Sequence, residues 1–261
     1  VPLFVFMGYI LERSGLVERL FRGLQLTMGP VRGSLYLATL LTATVFATAT
    51  GIIGASVTVI GVMAIPAMMR SKYSPVMAAG TVTAGGTLGI LIPPSVLLVL
   101  YGPVAGVSVA KLYAAAVGPG LLLSALYIGY TMIRSFLQPQ LGPPLPLEER
   151  ATSYRQALRE LLIGVVPAAV LIFAALGSII AGAATPTEAA ALGAGGALAL
   201  TFLYRRLSWA TLKQATLSTL QTSSLILLLV VASNFYGAVF ARLGTATWIT
   251  QGLLSMALPP A

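Results

Sequence analysis

The chain has 261 residues, of which 57% are hydrophobic and 8% charged, with a mean hydropathy of +0.94; a soluble domain carries about 25% charged residues on its wetted surface, so a soluble globular protein is excluded. Histidine, cysteine and aspartate are all absent, which removes thiol chemistry, disulfides, imidazole metal sites and aspartate relays from this segment. The net charge of +9 comes from basic residues scattered among short loops rather than gathered in one stripe, so it speaks of membrane topology and not of nucleic acid.

Uncharged or nearly uncharged runs cover Gly33–Met69, Tyr73–Pro103, Leu112–Ile133, Leu161–Thr187, Ala189–Tyr204 and Gln214–Ala241. About 20 apolar residues carry a helix across a hydrocarbon core about 30 Å thick. Backbone polar groups there must be satisfied without water, which long helical runs achieve and these sequences, lacking barrel-strand alternation, achieve only as helices. The predicted fold class is all-α: a polytopic membrane protein with a re-entrant hairpin and broken helices. With Glu12–Arg32 placed in the cytoplasm, Arg13, Arg19, Arg22, Arg32, Arg70, Lys72, Arg134, Arg150, Arg155, Arg159, Arg205, Arg206 and Lys213 fall inside, and only Lys111 and Arg242 outside. Thirteen basic residues inside against two outside predict the orientation of a multi-pass membrane protein.

In chain order, residues 1–32 are predicted to be the end of a membrane helix followed by an interfacial arm. Val1–Leu11 is too short to span and lacks the charged start of a signal peptide. Glu12–Met28 places Leu16, Leu20, Phe21 and Leu24 on one face and Arg13, Arg19 and Arg22 toward headgroups, an interfacial pattern. Residues 33–103 hold a first hairpin and a broken helix. A tip is expected where Thr48–Gly51 and Gly54–Ser56 interrupt an uncharged run, and small hydroxylated tips suit a hairpin that faces protein or water. In Gly85-Gly86-Thr87-Leu88-Gly89-Ile90-Leu91-Ile92-Pro93-Pro94-Ser95 the second proline cannot donate and pushes the first out of the α region. The helix must break there, freeing carbonyls at one half-helix end and N–H groups at the next, as in ion and anion sites of secondary transporters.

Residues 104–137 are predicted as a membrane helix, 138–160 as a hydrophilic cytoplasmic linker, 161–244 as membrane and arm helices of a second half, and 245–261 as the start of a further hairpin. Both ends of the sequence are expected to be cuts through a longer protein. Thr185-Pro186-Thr187-Glu188 has the spacing of a capping box, so Glu188, the one acid between apolar runs, is predicted to cap a helix with Thr185 rather than to carry protons. Ala189–Leu200 is small enough to pack closely on neighbours.

Nine residues are predicted to bind: Thr50, Gly51, Gly54 and Ser56 at the tip, and Gly86, Thr87, Pro93, Pro94 and Ser95 at the break. Hydroxyls and exposed carbonyls are the oxygen ligands hard cations prefer. Thr48 and Thr58 stand beside them, although a lone Ser or Thr usually bonds back to its own helix. No metal beyond sodium and no cofactor is expected, and with no local signature for nucleophilic or acid–base chemistry the chain is not expected to be an enzyme.

Several stretches resemble the large membrane subunit (DctM-like permease) of tripartite ATP-independent periplasmic (TRAP) transporters. They are Leu11-Glu12-Arg13-Ser14-Gly15-Leu16; Gly51–Arg70 with Ala64-Ile65-Pro66 before Met68-Met69-Arg70; Gly80–Gly102 around its Gly-Thr-Leu-Gly and Pro-Pro-Ser elements; and Ala184–Ala191 followed by Arg206-Leu207-Ser208-Trp209. The resemblance implies a sodium-coupled, elevator-type importer with sodium as coupling ion. It also implies a small membrane subunit and a periplasmic binding protein that delivers an organic acid such as a C4-dicarboxylate. It places Gly51–Ser56 in an inward hairpin tip and Gly86–Ser95 in the broken helix, together lining sodium and substrate sites. Gly51-Ile52-Ile53 departs from the common Gly-Ser-Ser and is more similar to the mannitol and chloroaromatic subgroup, and Lys72-Tyr73-Ser74-Pro75 replaces a common Gly-Tyr-Asp-Pro. The family's second transport half lies outside the sequence, so this segment alone is not expected to transport. Two other readings share the features: a receptor-independent sodium–dicarboxylate carrier, and a non-transporting scaffold subunit against which the double-proline break argues.

Overall fold

The computed structural model describes residues 1–51, 53–146 and 153–255. Among them every regular element is helical. The chain divides into one unit spanning Val1–Thr219 and a second spanning Leu220–Ala261. Four helical stretches are long and apolar enough to cross a membrane, Pro75–Ala105, Val109–Leu137, Arg155–Ile180 and Trp209–Arg242, so the all-α, multi-pass membrane architecture stands.

In the first unit, α1 (Pro2–Arg13) and α2 (Leu16–Met28) are separated by a turn. The continuous Glu12–Met28 helix expected from the sequence is therefore two helices. Ser14 Oγ donates to the Leu11 carbonyl at 2.6 Å and accepts from Leu16 N–H at 3.1 Å, while Gly15 takes φ +77°, a left-handed conformation that glycine adopts without the Cβ penalty. The apolar face of α2 is also not turned to lipid. Leu16, Leu20, Phe21 and Leu24 are buried, because α2 crosses α8 (Tyr154–Ile172) backbone to backbone: a Cβ on Gly23 would lie 2.7 Å from Leu161 Cα, and one on Gly164 would lie 2.8 Å from Leu20 Cα. An arm that buries its stripe against protein is a strut, with Glu18, Arg19 and Arg22 exposed and Gln25, Leu26, Thr27 and Met28 partly so.

α3 (Ser34–Thr50) and α4 (Ile53–Arg70) form the hairpin. At 1.5 Å per residue, the 17 residues of α3 reach ~25 Å, less than a hydrocarbon core about 30 Å thick, before the chain turns back into α4. At its base Tyr73 closes the loop, with its hydroxyl 3.3 Å from Ser34 Oγ, accepting Leu35 N–H at 3.3 Å, and its ring set edge-on to Tyr36 with centroids 4.8 Å apart. α5 (Pro75–Leu91) then runs beside α3 in the same direction. Contacts mark its course from Tyr73–Ser34 at the base, through Gly85 against Ala43, to Pro94 against Gly51. α6 (Val96–Ala105) completes the crossing and α7 (Val109–Leu137) returns, with Gly120 on Ile92, Ser124 Oγ 2.7 Å from Thr44 Oγ1, and Ser135 on Gly33.

The segment after α7 differs from the expected solvated linker. Residues 138–146 fold back on the hairpin base: Gly33 N–H donates to the Gly142 carbonyl at 2.9 Å, Ser74 N–H and Tyr36 Oη donate to the Leu141 carbonyl at 3.1 and 2.6 Å, and Leu145 N–H donates to the Gly29 carbonyl at 3.0 Å. Prolines make a linker by composition, but free backbone groups at the hairpin base recruit it as a strap. Its continuation, residues 147–152 with Glu148, Glu149 and Arg150, lies outside the described residues.

α8 passes through a π turn (Phe173–Gly177) into the short α9 (Ser178–Ile180). α10 (Pro186–Leu203) opens on a capping box, with Glu188 N–H donating to Thr185 Oγ1 at 3.3 Å and Thr185 N–H donating to Glu188 Oε2 at 2.8 Å. Glu188 is thus engaged by the helix start. Thr185→Ala is expected to cost about 1 kcal/mol, read as a lower unfolding midpoint of the detergent-solubilised subunit; an unchanged midpoint would mean that the cap contributes nothing. Small residues bring α10 close to its neighbours, Gly193 on Met7 of α1 and Gly196 on Leu171 of α8. The second unit holds the later part of α11 (Trp209–Arg242) and α12 (Thr245–Ser255), joined through Gly244 at φ +68°; Tyr236 and Phe240 stack with centroids 6.0 Å apart. Residues 256–261 of the expected further hairpin lie outside the described residues.

Candidate functional site

Two interruptions of helical backbone meet inside the first unit. Gly51, at the hairpin tip, has φ +62°. α5 stops at Leu91, Ile92 is extended, the Pro93–Pro94 peptide is cis, Ser95 is extended and α6 begins at Val96. A Cβ built on Gly51 would lie 2.9 Å from the Pro94 carbonyl oxygen, 3.1 Å from Val96 N and 3.4 Å from Ser95 Cα. Only a residue without a side chain lets the tip touch the break. The contact places the C-terminal end of α3 and the N-terminal end of α4 beside the C-terminal end of α5 and the N-terminal end of α6. Half-helix ends carry orphan carbonyls of partial negative charge and orphan N–H groups of partial positive charge, so one small volume offers both.

The hydroxyls around this contact are buried. Thr50 Oγ1 donates to the Phe46 carbonyl at 3.1 Å and lies 3.1 Å from Ser56 Oγ across the turn. Ser95 Oγ is buried and has no hydrogen-bond partner among the described residues. A buried hydroxyl left unpaired costs about 1–3 kcal/mol and calls for a reason. Ser95 stands at the junction of two half-helices, next to the tip.

Of the nine residues singled out from the sequence, the fold thus brings together Thr50, Gly51, Ser56, Pro93, Pro94 and Ser95. The other three are placed differently. Gly86 faces α4, where its missing Cβ would fall 2.0 Å from Val57 Cγ2, so its small size serves helix packing. Thr87 is exposed and donates to the Ala84 carbonyl of its own helix at 2.7 Å. Gly54 is exposed on the first turn of α4, with its carbonyl accepting Thr58 Oγ1 at 2.8 Å. Thr48 bonds back to the Thr44 carbonyl at 2.6 Å. Ile52 lies outside the described residues.

Two further residues belong to the constellation and were not singled out from the sequence. Tyr113, near the start of α7, is buried and its hydroxyl donates to the Ser95 carbonyl at 3.2 Å, bracing the break from outside. Gly8 of α1 brings a second helix onto the tip, since its Cβ would meet the Thr50 carbonyl oxygen at 3.1 Å. A tyrosine at a helix start and a glycine within an apolar stretch carry no local signal of these contacts.

The model of the family described as tripartite ATP-independent periplasmic transporter, DctM component, matches residues 1–261. The chain is 33% identical over 258 residues to the C4-dicarboxylate TRAP transporter large permease protein of Pseudomonas aeruginosa, covering 96% of this chain and 58% of that protein. It is 30% identical over 256 residues to the ectoine/5-hydroxyectoine TRAP transporter large permease protein of Ruegeria pomeroyi, covering 97% and 57%. Against the sialic acid TRAP transporter large permease protein of Vibrio cholerae it is 30% identical over 244 residues, covering 93% and 55%. The chain therefore spans a little over half the length of these relatives, which are permease subunits and not enzymes. A family match over the whole chain, at one-third identity to a large permease and with membrane-spanning helices arranged around a hairpin and a helix break, places the chain in the DctM component family of tripartite ATP-independent periplasmic transporters.

Proposed function

We propose that this chain is part of the large permease subunit of a sodium-coupled, binding-protein-dependent secondary transporter that imports a small organic acid across the bacterial inner membrane. The observation that carries the reading is the contact of the Gly51 tip with the Pro94–Val96 break. Carbonyls from the ends of α3 and α5, with the hydroxyls of Thr50, Ser56 and Ser95, form an oxygen-rich surface for a hard monovalent cation. The N-terminal ends of α4 and α6 present N–H groups to a carboxylate. Cation and anion held at one junction neutralise each other during movement through a low-dielectric region, which gives coupling a physical basis. Relatives named for C4-dicarboxylates and sialic acid support an acidic solute, and the TRAP family supports a small membrane subunit and a periplasmic receptor as partners.

The test is uptake of labelled organic acids into vesicles holding the complete subunit, its small partner and the binding protein, with and without a sodium gradient. Uptake should require both sodium and the receptor. Ser95→Ala should raise the sodium concentration for half-maximal uptake by about tenfold, the loss of one oxygen ligand worth about 1.4 kcal/mol. Sodium-independent uptake would sink the coupling proposal, and receptor-independent uptake would favour a carrier that works alone.

A further inference from the structure

The turn between α1 and α2 and the turn between α10 and α11 lie against each other and gather arginines. Arg19, exposed on the first turn of α2, sets its guanidinium carbon 4.5 Å from the centroid of the Tyr204 ring. The guanidinium of Arg206 lies 3.7 Å from the point where a Cβ on Gly15 would sit. Arg13 donates through Nη1 to Gln214 Oε1 near the start of α11. Beside Arg206, Arg205 holds φ at +54° as the left-handed residue that ends α10, with Arg206 N–H donating to the Thr201 carbonyl at 3.0 Å. Among the described residues the contacts of Arg19 and Arg206 run to a ring and a glycine rather than to a carboxylate, whereas the Arg13 charge also acts on Glu12. Of the acids nearby, Glu18 is exposed and Glu12 buries Oε2 with no hydrogen-bond partner among the described residues.

What stands next to the charges identifies the partner. Phe202 and Leu203, at the end of α10, are 69% and 70% exposed, and Trp209, which opens α11, is 78% exposed. A site for a soluble phosphate has no use for bare apolar side chains at its rim. A phospholipid has: its phosphate meets guanidinia through charge-assisted hydrogen bonds, its upper acyl chains meet the adjacent apolar surface, and tryptophan settles at that boundary. We propose that Arg19, Arg205 and Arg206 bind the headgroup phosphate of an anionic phospholipid, with Phe202, Leu203 and Trp209 against its acyl chains. Bound there, the lipid bridges α2 to the α10–α11 turn. The inference is independent of which solute or ion the transporter moves.

The test uses the complete permease subunit purified in detergent, with binding of phosphatidylglycerol and phosphatidylcholine measured by native mass spectrometry. Phosphatidylglycerol should bind more tightly than phosphatidylcholine, and Arg19→Gln and Arg206→Gln should each weaken it by about fivefold. Arg206→Lys should retain most of the binding, and Lys111→Gln, at the far end of the membrane span, should leave it unchanged. If Arg206→Gln fails to fold, Arg19→Gln, which alters an exposed side chain, carries the same expectation. Equal binding of the two lipids, or undiminished binding in the Arg19→Gln/Arg206→Gln double variant, overturns the proposal. Displacement of phosphatidylglycerol by millimolar inorganic phosphate would overturn it in favour of a free-anion site.

Discussion

Gly51→Val in the complete subunit is expected to abolish sodium-driven uptake while the subunit still reaches the membrane as a folded protein. The substitution fails twice over at one atom. Gly51 has φ +62°, and an L-residue forced into the left-handed region costs about 1–2 kcal/mol. Its Cβ would also stand 2.9 Å from the Pro94 carbonyl oxygen and 3.1 Å from Val96 N, two backbone atoms that cannot rotate away. Relief requires the tip and the break to separate, and overpacking of this kind costs about 1–3 kcal/mol. A tip driven from the break disperses the carbonyl and N–H ends on which the proposed cation and carboxylate sites depend, so uptake should fall by more than about 100-fold when about 3 kcal/mol of site geometry is lost. Gly51→Ala should fall between. The check is the initial uptake rate set beside the unfolding midpoint of the same preparation. Uptake within about twofold of the parent would show that the tip-to-break contact takes no part in transport.

The second large effect is on stability. Gly23 and Gly164 form a reciprocal contact in which each lies over the other helix's backbone, with Cβ positions 2.7 Å from Leu161 Cα and 2.8 Å from Leu20 Cα. No flexible side chain stands between them to yield, so even Gly23→Ala must push α2 from α8, at about 1–3 kcal/mol, and Gly23→Leu should cost more. Because both glycines serve one close approach, the double alanine variant should cost less than the sum of the singles. Gly80→Ala supplies the contrast: nothing lies within 4 Å of its Cβ position in α5, and replacing a helical glycine there should stabilise by about 0.5–1 kcal/mol. Thermal unfolding in detergent orders these variants. A Gly23→Ala midpoint equal to the parent's would mean that the α2–α8 crossing adjusts without strain and is not the clamp described.

Much of this architecture was legible in the sequence because it rests on local chemistry. Apolar length announced the spans; Pro93-Pro94 announced backbone that cannot continue as helix, and the small residues of Thr48–Gly51 and Gly54–Ser56 announced a tip; the Thr185–Glu188 spacing announced a cap that forms through the same two residues. Each is decided within a few residues by φ limits, a missing N–H or an orphan donor in reach.

That the tip and the break line one site followed from the resemblance and not from residue spacing, and the Gly51–Pro94 contact itself was not legible; neither were the strap of residues 138–146 on the hairpin base, the Tyr113 hydroxyl on Ser95, or the turning of Gly86 toward Val57 and of Thr87 outward. Those are choices of which side of a helix faces which neighbour. In a soluble protein the polar face answers that question from the sequence, but α3 and α5 are apolar nearly all round, so periodicity points nowhere. In such helices facing is settled by how closely backbones approach and by where buried hydroxyls find partners. The sequence alone therefore determined a helix break at Pro93–Pro94 and a tip between Thr48 and Ser56, because a missing N–H and small residues act locally; the tertiary structure alone decided that the tip touches the break through Gly51 on the Pro94 carbonyl and Val96 N, because that depends on how closely the two backbones approach.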